Sequence, residues 1–88
     1  MNTTTPATTT PATMRELSFS EKAVWFSFNP SNDASVQAIK VKAASFIDFC
    51  HTARSWTDDP EKKRMYSLAI TEAQTAQMWA VKATTWTL

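Results

Sequence analysis

Ala73-Gln-Thr-Ala-Gln-Met-Trp-Ala-Val-Lys-Ala-Thr-Thr-Trp-Thr-Leu88 reads as helix throughout and carries one charge, Lys82. A helix that faces water along one side shows charged residues on that side at every turn. This stretch lacks them, so protein is expected around most of its circumference. The rest of the chain is too short to supply that cover. Other copies of the same chain are the economical source, and the uncharged polar side chains then line something enclosed. The expectation is an oligomeric binding protein.

Upstream, Asp59-Pro60-Glu61 marks where this helix begins: a capping residue, a proline at the first helical position and an acid in the positive first turn. The helix is expected over 60–85, about 37 Å long at 1.5 Å per residue. Met65, Ala69, Ala73, Ala76, Ala80 and Ala83 form a small-residue spine that lets another helix approach closely. Leu68, Ile70, Trp79, Val81 and Trp86 point elsewhere and need their own cover. Thr57-Asp-Asp59 is a short turn. Before it, Asp33 or Ser31 can cap a helix over 33–56. Val36, Ile39, Ala43, Phe46, Cys50 and Ala53 make its seam, with Ile47, Phe49 and Trp56 lying off it. Two antiparallel helices cannot bury both sets. The predicted fold is all-α, an antiparallel helical hairpin that oligomerises through its helices.

Residues 14–32 form an aromatic arm, with Phe19, Trp25, Phe26 and Phe28 close together. Ser20-Glu-Lys-Ala-Val24 suits one helical turn. Trp25-Phe-Ser-Phe-Asn-Pro30 reads as extended, because Pro30 pushes Asn29 out of the helical region. Residues 1–13 hold two copies of Thr-Thr-Thr-Pro-Ala, a low-complexity, disordered tail with nothing to bury. A glycosylated stalk of that composition needs a secretory route the sequence does not show. The hairpin domain is therefore expected over 14–88.

With 88 residues the chain sets one small domain, and below about 70–80 ordered residues a lone core supplies only about 3–5 kcal/mol. Cys50 is the only cysteine, so no intrachain disulfide can form, and the lone thiol fits a reducing cytosol. No zinc spacing occurs, and neither a metal nor a cofactor is expected. Nine Lys and Arg against eight Asp and Glu leave a net charge of +1, too weak a field to track DNA, RNA or an anionic membrane. Glycine is absent, which removes P-loops, dinucleotide fingerprints and Asn-Gly hairpins. No apolar run is long enough to span a membrane, and the N-terminus lacks a secretory pattern.

Catalysis has little support. His51 is the only histidine, and its neighbour Cys50 projects about 100° away on a helix. Asp48 and His51 can touch on one helix face as a surface pair. No catalytic residue is expected, and the chain is read as a non-enzyme. Lys42 and Lys62-Lys63-Arg64 read as a solvated flank. Lys40 differs, since it lies one position from the seam and follows an arm that can fold over it. An ammonium at the base of an aromatic slot suits the phosphate and stacked purines of a cyclic nucleotide. Thr71, Gln74, Thr75 and Gln77 form a neutral polar stripe that serves either helix contacts or a ligand. Trp79 and Trp86 read as core or interface anchors before base platforms.

The block Glu21-Lys-Ala-Val-Trp-Phe-Ser-Phe-Asn-Pro-Ser31, with Ile39-Lys40 and Leu68-Ala-Ile-Thr-Glu-Ala-Gln-Thr-Ala-Gln-Met-Trp-Ala-Val-Lys-Ala-Thr84, resembles the phage anti-CBASS and anti-Thoeris helical-hairpin sponges. The similarity spans residues 15–84. It implies a homo-oligomer, a dimer or hexamer, that sequesters cyclic oligonucleotide signals or cyclised ADP-ribose in the cytoplasm of the infected bacterial host, without cleaving them. Lys40 matches a first-helix lysine that contacts cyclic dinucleotides. Arg15-Glu16-Leu17-Ser18 looks like the family's N-terminal motif, in which a tyrosine precedes the arginine. Met14 stands there instead, so the stacking surface must come from Trp25, Phe26 or Phe28. The insertion-like arm through Asn29 and Pro30 is similar to the anti-Thoeris type.

The resemblance thus implies Arg15 and Lys40 for phosphates, Trp25 or Phe28 for bases, and Asn29 in the arm. It places Thr71 with Gln74 in a pocket between subunits, and Lys82 where the anti-CBASS branch tends to carry arginine. The alternative is a homo-oligomeric structural or adaptor protein of a phage particle, in which the arm docks a partner.

Overall fold

The computed structural model describes residues 16–29 and 33–87. Three helices follow in order: α1 at Phe19–Ala23, α2 at Ala34–Trp56 and α3 at Pro60–Thr84. The tail, Met14, Arg15, Pro30 and Ser31 lie outside the described residues.

Each helix starts where a side chain satisfies its free backbone N–H groups. Ser18 and Glu21 form a reciprocal capping box at α1. The Asp33 carboxylate accepts from the Ser35 and Val36 N–H groups at 2.7 and 3.2 Å. Asp59 accepts from Glu61 N–H at 2.9 Å, with Pro60 at the first position, where its missing N–H costs nothing. Asp33, read from the sequence as a possible cap, is the N-cap of α2, and Thr85, the last residue of the expected 60–85 helix, is the C-cap of α3. Residues 57–59 return the chain, so α2 and α3 pack as an antiparallel hairpin, with α1 laid against α2.

The core is small: Val24 from the arm, Ala44, Ile47 and Cys50 from α2, and Ile70 from α3, with Phe26, Tyr66, Ala69 and Ala73 closing over it. This corrects three expectations. The buried edge of α2 is Val36, Lys40, Ala44, Ile47 and Cys50, rotated from the expected seam, and Phe46 is exposed. Ile70 belongs to the core, whereas Met65 of the expected spine is exposed. The arm is not extended after Val24. Residues 24–27 form a turn, with Trp25 at φ 56. Phe26 N–H donates to the Glu21 carbonyl at 2.9 Å, and Phe28 N–H to that of Trp25 at 3.0 Å. In this turn the Val24 and Trp25 carbonyls face a cation on α2.

The molecule is 13 Å thick along its shortest axis, about one helix diameter. A slab of that thickness leaves broad helix faces uncovered. Phe46, Phe49, Trp56, Leu68, Trp79 and Trp86 are all exposed.

Candidate functional site

The cation is Lys40, which is 2% exposed. Its Nζ donates to the Val24 carbonyl at 3.1 Å and to the Trp25 carbonyl at 2.7 Å. Trp25 and Phe28 stack on each other with centroids 4.1 Å apart and planes inclined by 12°. The ammonium lies 5.9 Å from the first ring and 5.5 Å from the second, within cation–π range. Burial lowers the Lys40 pKa below the ordinary lysine value, because desolvation disfavours the charged form. Among the described residues the ammonium meets carbonyl oxygens and ring faces, and no carboxylate. An ammonium has three N–H donors. Two hold the arm, and one is left for a further acceptor.

α3 supplies the opposite wall. Gln74 Nε2 donates to the Ala23 carbonyl at 3.0 Å, tying α3 to the end of α1. Gln77, one turn on, is buried, and Met78 and Val81 continue the wall. Together with Trp25, Phe28 and Lys40 these residues line a groove of about 320 Å³. Five of the residues singled out in the sequence thus converge here: Trp25, Phe28, Lys40, Gln74 and Gln77.

Residues 21–85, from α1 through the whole hairpin, match the model of the Acb2/Tad1 hairpin domain. The chain belongs to that family. Its members are the anti-CBASS and anti-Thoeris sponges, sponge-type binding proteins rather than enzymes. The match begins at Glu21, so the Arg15–Ser18 stretch precedes it. No curated protein and no solved structure matches the chain.

In this Acb2/Tad1 hairpin the other candidates among the described residues lie apart from the groove or are engaged elsewhere. Asn29 closes the arm onto α2: its Oδ1 accepts from Asp33 N–H at 3.0 Å, and its Nδ2 donates to the Asp33 carbonyl at 2.9 Å. Thr71 is exposed, with its hydroxyl on the Ser67 carbonyl of its own helix; Thr75 bonds back in the same way. The neutral polar stripe therefore divides, Gln74 and Gln77 facing inward and the threonines outward. Lys82 sits 5.4 Å from the Trp79 ring and 5.6 Å from that of Trp86. That cluster is offset by one residue from Met78 and Val81, about 100° round α3. His51 does not pair with Asp48. It stacks on Phe19 with centroids 4.1 Å apart, and its Nδ1 accepts from Arg54 at 3.0 Å. Arg54 also donates to Ser67 Oγ at 2.9 Å, bridging α2 to α3.

Gln77 is the functional candidate that apolar patterning undervalues. Its signal in the sequence is a glutamine placed three residues after Gln74, between Ala73 and Ala80 on the packed face.

Proposed function

We propose that this chain is a phage sponge that binds a cyclic nucleotide messenger of bacterial antiphage immunity and holds it intact in the host cytoplasm, as a homo-oligomer. The messenger is a cyclic di- or trinucleotide or a cyclic ADP-ribose type. The observation that carries the reading is Lys40, a nearly fully buried ammonium under two stacked aromatic rings, with no carboxylate opposite it among the described residues. A phosphate supplies the missing negative charge and accepts the remaining N–H, and charge-assisted bonds of this kind are the strong ones. The outer faces of Trp25 and Phe28 offer flat surfaces for a base, and Trp25 is 65% exposed.

Family membership supports the same reading. The groove's volume of about 320 Å³ stands at the small end of ligand clefts, about 300–1,000 Å³. It suits one base with its phosphate, and a second copy of the chain then completes the site. No helix among the described residues is long and apolar enough to cross a membrane, consistent with action on a dissolved messenger.

Sequestration is mass action: free messenger falls when tight sites outnumber it. The test is recovery. Protein in excess is mixed with a cyclic dinucleotide, the filtrate is assayed, and the protein is then heat-denatured. Depletion from the filtrate followed by release of unaltered ligand is expected. A linearised product indicates turnover and overturns the reading.

A further inference from the structure

Gln77 is 7% exposed, and its Oε1 is buried without a hydrogen-bond partner among the described residues. An amide oxygen in that state has given up water and gained nothing, so an apolar side chain of similar size is the more stable occupant. The cost is unexplained by the free chain. Gln74 differs, because its amide is used inside the fold, on the Ala23 carbonyl.

Gln77 lines the groove that holds the Lys40 ammonium and the Trp25–Phe28 stack. The groove thus combines a hydrogen-bond acceptor on one wall, flat aromatic faces on the other and a cation at its base. Stacking tolerates any base, and the cation reads only phosphate. The acceptor alone distinguishes one base from another.

We propose that Gln77 reads the base: its Oε1 accepts a hydrogen bond from the exocyclic amino group of a bound purine, so the groove selects amino-bearing bases over counterparts that carry hydrogen in its place. Glutamine meets adenine in this manner elsewhere, through an amide that accepts from the amino group. The inference rests on the sponge reading above and adds a specificity determinant to it.

Two matched ligand pairs test it by calorimetry on the full chain. Cyclic di-AMP is compared with its analogue carrying unsubstituted purine, and cyclic di-GMP with cyclic di-IMP. Each pair differs only in the amino groups. The wild type should prefer the amino ligand of a pair by about tenfold, the value of one hydrogen bond. Gln77→Met should bring that ratio close to one while raising the melting temperature of the free protein. Gln77→Glu, which keeps an acceptor, should retain the preference. A wild-type ratio of one overturns the inference, with the sponge reading intact and without recourse to any variant. So does a ratio that Gln77→Met leaves unchanged, or a Gln77→Met that lowers the assembly's mass without changing the ratio, which assigns the oxygen to a neighbouring copy. Absence of binding to all four ligands overturns both.

Discussion

Trp25 holds φ at 56, in the left-handed region where a residue with a Cβ pays about 1–2 kcal/mol. The chain has no glycine, so no residue free of that strain is available for the turn. The usual order of Ala above Gly is therefore expected to invert: Trp25→Gly should be more stable to urea than Trp25→Ala by about 1 kcal/mol. An Ala variant equal to or more stable than Gly contradicts the strained turn.

Lys40 is coupled to that turn through the Val24 and Trp25 carbonyls, and its lowered pKa gives a signed expectation. The native state holds this proton less tightly than the unfolded chain, whose lysine titrates near 10.5. In the window between the lowered value and 10.5 the unfolded chain binds more protons, so stability rises with pH there. Melting curves across that alkaline range should show the wild type gaining on Lys40→Met as pH rises. Parallel curves contradict the depressed value.

At the scale of elements, α2 begins where two devices share one residue. The Asp33 carboxylate caps the helix while its backbone N–H and carbonyl are both held by Asn29. Asp59 makes the simpler cap, its carboxylate accepting from Glu61 N–H. Asp33→Ala should therefore cost about 1 kcal/mol or more, exceed Asp59→Ala, and speed hydrogen exchange at the hydrogen-bonded Phe26 and Phe28 amides of the arm. Equal losses with unchanged exchange detach the cap from the arm.

The limits of the long helices are legible in the sequence because Asp33 and the Asp59-Pro60-Glu61 start act locally. The packed edge of α2 is not, because apolarity selects Ile39, Ala43 and Phe46, whereas the fold buries Lys40 in their place. A lysine takes a core position only when partners from elsewhere in the chain satisfy its ammonium, and those partners are carbonyls that have no side-chain signature. Pro30 keeps Asn29 out of a helix, yet nothing in Trp25 announces a positive φ, which ordinarily falls to glycine or asparagine. The aromatic arm and Lys40 could be brought together from sequence; Gln77 could not be ranked above Thr71, since both are neutral polar residues on one helix.

For the whole molecule the governing fact is thinness, 13 Å along the shortest axis. Phe46, Phe49, Met65 and Tyr66 line an apolar groove across the hairpin, and Phe49 is 67% exposed. Patches of this kind mark interaction surfaces, and self-association is the expected use. Sedimentation should give a dimer or hexamer of the 9.9 kDa chain, and Phe49→Asp should lower that mass. A wild-type monomer contradicts the oligomeric part of the reading. The central claim, that the groove beneath the arm holds a cyclic nucleotide, is tested most directly by calorimetric titration with cyclic di- and trinucleotides and cyclic ADP-ribose isomers. The expected result is nanomolar binding of at least one of them, weakened by about 1.5–3 kcal/mol in Lys40→Ala. No heat across the whole set, or tight binding that Lys40→Ala leaves unchanged, contradicts it.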